Sequence, residues 1–170
     1  MELPMTSLRQ EIRQNRPFAS AEQETVLNLV RTVGILDGPL RGLLRRESLG
    51  VSLYNILRIL RGQQGEPLSC SAIGERLVTR VPDVTRLIER LARRGLVERR
   101  RCPQDGRKVL ITLSDRGAGL LARLDEPVLV LHREMLGHLT RQEMKTLNEL
   151  LTKTRRPHLA ADIPAEGDRT

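Results

Sequence analysis

Aromatic side chains are almost missing from this chain of 170 residues: Phe18 and Tyr54 are the only two, and tryptophan is absent. Any core must therefore be aliphatic, drawn from the Leu, Val and Ile that dominate an apolar share of 39%. The same lack argues against single-stranded nucleic acid as a partner, because proteins of that kind stack bases on aromatic platforms. Cysteine is scarce as well. Cys70 and Cys102 have no partner at CxxC spacing, and His132 and His138, six apart, fall on different faces of a helix, so no metal site is expected. No Walker loop, dinucleotide glycine pattern, GxSxG or HExxH occurs, which leaves catalysis without candidate residues and implies neither an enzyme nor a cofactor. Apolar runs stay well short of the ~18 residues that span a bilayer. Met1 to Phe18 is polar and charged, with no apolar signal-peptide region. These absences predict a soluble, reduced, cytoplasmic protein with no membrane partner.

What the chain has is positive charge, and it is concentrated. The formal net charge is +8, and 26 of the 29 cations are arginine. Between Arg76 and Lys108, eleven Lys/Arg face four Asp/Glu, a local excess of +7. That describes a compact module suited to a polyanion. Arginine also fits phosphate and guanine geometry better than lysine does.

The pattern around this charge is mainly helical. Residues 1–19 read as an N-terminal arm or short helix. Ser20-x-x-Gln23 has the form of a capping box, and Val26, Leu29, Val30, Val33, Leu36, Leu40, Leu43 and Leu44 follow at helical spacing. Gly38-Pro39 is expected to bend or break this helix. Its apolar surface is wider than one peripheral helix needs, so part of it is expected to meet another chain. A second helix is predicted over Ser52–Arg61 and a third over Cys70–Val78 with Ser69 as N-cap. A fourth starts with Pro82 in its first position and stops at Gly95.

Within that fourth helix, Val84, Leu87, Ile88 and Leu91 form a buried stripe, leaving Asp83, Thr85, Arg86, Glu89, Arg90 and Arg93 exposed. Leu96–Arg99 and Lys108–Leu113 read as strands joined by a turn at Asp105-Gly106, a β-hairpin with a basic tip. Ser114 caps a long helix to about Leu139 that Pro127 should kink or divide. Thr140-x-x-Glu143 opens a last helix carrying Met144, Leu147, Leu150 and Leu151 on one side. From Pro157 to Thr170 the composition is that of a disordered tail.

Helix, turn, helix and basic hairpin together make a winged helix-turn-helix, whose second helix has the dimensions to enter a DNA major groove. Arg86 can pair bidentately with guanine, and Thr85 can touch a thymine methyl or a phosphate. Asp83 can accept from a cytosine amine or stabilise the helix N-terminus, and the second reading is preferred. Arg90, Arg93 and Arg94 are placed for phosphates. Arg80, in the turn, completes the cationic set, and Arg107 at the wing tip is assigned to a minor groove. Asp105 would be repelled by phosphate and is read as holding Arg107 or the turn.

The run Val84-Thr85-Arg86-Leu87-Ile88-Glu89-Arg90-Leu91-Ala92-Arg93-Arg94-Gly95-Leu96-Val97-Glu98-Arg99 is similar to the recognition-helix and strand signature of MarR-type regulators. Asp105-Gly106-Arg107 and the segment Ile111 to Gly117 resemble the same family, and the likeness extends over roughly Ser20 to Arg156. It implies a bacterial transcription regulator of mainly α fold with a small β-hairpin wing. Residues 20–50 and 115–156 would be dimerisation helices around a DNA-binding module at 51–114. It further implies a homodimeric repressor of a palindromic operator on double-stranded DNA, at the nucleoid, released by a small molecule or by oxidation. Tyr54 is the one phenol available to line an effector pocket, although packing is its simpler role. Cys70, at a helix N-terminus, and Cys102, beside three arginines, are the candidates for redox sensing. Architectural DNA binding without an effector, and a winged module used for protein contacts, are the alternatives.

Overall fold

The computed structural model describes residues 7–103, 105 and 108–159. Two compact units account for the chain, one ending at Leu131 and the other beginning at His132.

The first unit opens with a one-turn helix, α1 (Leu8–Glu11), closed by a capping box between Ser7 and Gln10. Ser20 then caps α2 (Ala21–Arg45), its hydroxyl accepting from the Gln23 backbone N–H. The Gln23 side chain reaches back to the Ala19 N–H, one residue earlier than a capping box would place it. The expected break at Gly38-Pro39 does not occur, and α2 is helical through Pro39. Proline there removes the donor for the Ile35 carbonyl, but both residues are exposed and water can serve that carbonyl.

Next come α3 (Val51–Arg61), the two-residue strand β1 (Leu68–Ser69), α4 (Cys70–Glu75) and α5 (Val84–Arg93). Helix α4 is shorter than the Cys70–Val78 expected. The Val78 N–H leaves the helical ladder to donate to Asn55 Oδ1 of α3 at 3.0 Å. The last turn is already tightened by Arg76 and Leu77 donating to carbonyls three residues back. Pro82 is not the first residue of α5; Asp83 takes the N-cap, its carboxylate accepting from the Arg86 N–H at 2.9 Å, which moves the helix start to Val84.

Strands β2 (Val97–Arg101) and β3 (Val109–Leu113) form the expected hairpin, pairing Val97 with Leu113 through to Arg101 with Val109. The sheet has three strands rather than two, in the order β1-β3-β2, with Leu68 opposite Ile111 and Ser69 opposite Leu110. Ser114 then starts α6 (Asp115–Leu136), its hydroxyl donating to the Gly95 carbonyl and accepting from the Gly117 N–H. Pro127 neither divides nor ends α6, for the same reason as Pro39: it and Arg123, four residues back, are both exposed.

The core of this unit is aliphatic apart from Tyr54. It gathers Leu44 from α2, Leu53, Ile56, Leu57 and Leu60 from α3, Ile73 from α4, Ile88 and Leu91 from α5, Ile111 from β3, and Leu121 and Leu124 from α6. Burial of that many branched chains is the main stabilising term. One bidentate ion pair ties α3 to α6 at its margin, Arg61 to Asp125 with both N–O distances 2.7 Å. The Arg61 hydrogen bonds hold the Asp125 carboxyl below the usual aspartate range.

In the second unit, Thr140 and Glu143 cap α7 (Arg141–Leu159) reciprocally, as their spacing predicts. The Thr140 N–H and hydroxyl donating to Glu143 keep that carboxyl below its ordinary value. Pro157 lies inside α7, so the helix extends past the tail boundary expected there; the rest of the expected tail, 160–170, falls outside the described residues. Leu147 and Leu150 are exposed along α7, and Met144 and Leu151 are half-buried. Among the described residues no helix is long and apolar enough to cross a membrane.

Candidate nucleic-acid interface

Helix α5 is held on every side except the one it shows to solvent. Ile88 and Leu91 are buried in the core, while Val84 and Leu87 pack against its edge. Its N-terminus is closed by the Asp83 cap. At its C-terminus Gly95 takes φ +66°, and the Leu96 and Gly95 N–H groups return to the Leu91 and Ala92 carbonyls, a Schellman closure that a glycine makes without steric cost. Gly74 of α4 lies under Val84, where a Cβ would stand 3.3 Å from the valine methyl. The Arg94 guanidinium donates to the Ser48 and Glu47 carbonyls at 2.8 and 2.9 Å, tying the end of α5 to the turn after α2.

The exposed face of α5 and strand β2 line an open cleft of about 840 Å³. Its walls are Asp83, Thr85, Arg86, Glu89, Ala92 and Arg93 from the helix region and Arg99 from β2. Strand alternation explains Arg99: it shares a face with Val97, which is buried, whereas Glu98 and Arg100 point the other way. Among the described residues, the guanidinium groups of Arg86, Arg93 and Arg99 have no hydrogen-bond or ion-pair partner. Three uncommitted arginines thus converge around one groove-shaped opening, and a desolvated anion there would gain charge-assisted hydrogen bonds.

Of the residues singled out from sequence, Thr85, Arg86, Arg93 and Asp83 come together here, with one carboxylate oxygen of Asp83 spent on the cap. Arg90 does not join them. It turns to the other flank of α5, where it lines a cavity of about 610 Å³ with Arg41, Arg45, Leu49, Val51 and Leu87. Arg94 was expected on phosphate; its guanidinium is instead committed to the two backbone carbonyls. Arg80 is exposed in the turn before α5. Asp105 accepts the Lys108 N–H through its carbonyl and meets the Lys108 ammonium at 3.5 Å, while Arg107 lies outside the described residues. Tyr54 is buried on α3, its hydroxyl accepting from Arg58 at 3.1 Å, and it does not line the 610 Å³ cavity. Cys70 and Cys102 are both half-buried thiols. Sequence reasoning left Arg99 and Glu89 out of the site. The alternation Val97-Glu98-Arg99 was the signal available for the first.

Comparison with known proteins agrees with this geometry. The MarR family model matches residues 51–109, which include α3 to the wing. A solved MarR transcription factor from Planctomyces limnophilus is 39% identical, covers 79% of this chain and 98% of its own, and superposes with a TM-score of 0.63. The chain belongs to the MarR family. It is a MarR-family transcription regulator, and its winged helix is a DNA-binding module. The curated repressor IacR of Pseudomonas putida is 27% identical over 123 residues, 72% of each chain. A mutant MarR from E. coli, solved in complex with operator DNA, is 25% identical, covers 88% of this chain and 99% of its own, with a TM-score of 0.68.

Proposed function

We propose that this MarR-family regulator is a homodimeric repressor that reads a palindromic operator with α5 and is released by a small-molecule effector. The observation that carries the reading is the cleft, in which Thr85 and Arg86 on the first turn of α5 stand with Arg93 and Arg99. In a winged helix the first turn of the recognition helix meets base edges. Arg86 is therefore assigned to a guanine, Thr85 to a thymine methyl or phosphate, and Arg93 and Arg99 to phosphates, with Arg80 and Arg107 kept as further DNA contacts from the sequence pattern.

Dimerisation is supported by apolar side chains that the chain leaves in water. Val26, Val30 and Val33 of α2 are 57%, 65% and 65% exposed, on a helix with no polar reason to carry them. A second copy would cover them and supply the second recognition helix. The repression and the operator follow the curated and solved relatives. For the effector, the 610 Å³ cavity spans the end of α2 and the flank of α5, so an occupant touches both the helix proposed for dimerisation and the one proposed for reading. Its rim of Arg41, Arg45 and Arg90 favours an anionic molecule.

Selection of genomic fragments on the purified protein, then titration of the recovered site against random duplex at several salt concentrations, tests the reading. Specific regulation predicts a two-fold symmetric site bound at least ~10³-fold better than random DNA. Equal affinity for every sequence would replace it with architectural binding.

A further inference from the structure

Glu89 is the one acid in the cleft not otherwise employed. About 100° per residue around a helix puts Ala92, Thr85, Glu89, Arg93 and Arg86 along one solvent arc in that order, with Glu89 at its middle. Arg90 lies beyond the Arg86 end of the arc, which agrees with its place on the other cavity. Asp83, the other acid of the cleft, is held by the Arg86 N–H. Among the described residues the Glu89 carboxylate has no hydrogen bond and no ion pair, although Arg86 lies three residues before it and Arg93 four after. A Glu four residues ahead of an Arg is the favourable order for a pair along a helix, yet here the two side chains remain apart.

A carboxylate at the centre of a surface made for phosphate is a cost unless it meets a donor. Phosphates flank the groove and repel it; base edges form the groove floor and present two exocyclic amines, cytosine N4 and adenine N6. Acidic side chains pair with the first, because it stands without the adjacent N7 acceptor that adenine offers. The next turn of α5 toward its start carries Arg86, whose fork suits guanine O6 and N7.

We propose that Glu89 is a base-reading residue that accepts a hydrogen bond from a cytosine amine next to the guanine read by Arg86. It makes each half-site require adjoining G·C pairs, and it weakens binding wherever that amine is missing, because the desolvated carboxylate is then left without a donor. This rests on the winged helix placing α5 in a major groove, and the test separates the two.

The experiment is selection from a randomised duplex library with the full-length parent, Glu89→Gln and Glu89→Ala, followed by affinity measurements on the recovered sites. Circular dichroism confirms that both variants fold, as an exposed position allows. The parent is expected to require cytosine at one position per half-site, with substitution there costing on the order of 10-fold. Glu89→Gln should move the preference at that position to adenine, whose N6 and N7 a carboxamide matches. Glu89→Ala should lose discrimination at that position alone. If Glu89→Gln keeps the parent's preference, or Glu89→Ala merely binds every sequence more tightly with unchanged base choice, the carboxylate only repels phosphate and the assignment is overturned. A parent that enriches no sequence at all would overturn the operator reading itself.

Discussion

Arg86 and Arg93 stand on the same face of one helix, two turns apart, and the roles proposed for them differ in what their loss would change. Arg86→Ala should cost ~1–3 kcal/mol of operator binding and relax selectivity at one base pair per half-site. Arg93→Ala should weaken operator and random duplex alike and flatten the dependence of log K on log salt by about one contact. Fluorescence anisotropy on both DNAs across a salt series distinguishes them. Equal losses on both sequences for Arg86→Ala would remove it from base reading. Asp83 acts on the helix rather than on DNA: Asp83→Ala should lower unfolding free energy by ~1 kcal/mol, with Asp83→Asn retaining most of it. At this scale the sequence was informative wherever periodicity decided the outcome, as for Thr85, Arg86 and Arg93. It assigned Arg94 to phosphate and gave no sign of the bonds that hold its guanidinium, because the Glu47 and Ser48 carbonyls that engage it come from a turn far back in the chain.

Between elements, α6 approaches Leu96 and the end of β3 closely at Gly117. A Cβ on Gly117 would collide with the Leu96 carbonyl oxygen and stand 2.7 Å from Leu113 Cδ1. Gly117→Ala must push α6 off the strands, and a loss of ~1–3 kcal/mol in chemical unfolding is expected, as for other overpacked sites. The Arg61–Asp125 pair ties α3 to α6 more weakly, because both side chains are partly exposed. Asp125→Asn should cost ~0.5–1 kcal/mol near neutral pH. The Asp125 carboxyl titrates lower in the folded protein than in the unfolded chain, so the unfolded state binds more protons in that window. The stabilisation is complete above the unfolded value of about 4 and fades as pH falls through the lower folded value. The parent and Asp125→Asn should therefore converge in urea titrations at acid pH. Apart from β1, existence and type of the elements were legible in the sequence, from N-cap residues, helical periodicity, Gly95 and the Asp105-Gly106 pair. Their ends were less so. Helix α4 closes early because Asn55, on another helix, takes the Val78 N–H, and β1 exists only because β3 lies beside it.

For the molecule as a whole, the proposed dimer makes stability and binding depend on a surface that contacts neither DNA nor the core. Val30→Glu combined with Val33→Glu is expected to leave the winged module folded, convert the protein to monomer in sedimentation, and lower operator affinity by ~10²-fold or more through loss of the second half-site. An unchanged sedimentation coefficient would move the interface elsewhere. Cooperative unfolding of the parent should shift to higher temperature with protein concentration if the dimer forms.

The sequence by itself determined the helical periods, the basic hairpin and the family, because these rest on local spacing and on residue types whose conformational preferences act within a few positions. Tertiary structure alone decided the third strand, the commitment of Arg94 to backbone carbonyls, the separation of Arg90 from Arg86, and the meeting of Arg99 with Glu89 in one cleft. Each of these depends on which distant atoms a side chain meets, and that is set by how the aliphatic core packs the helices together, a property no window of the chain contains.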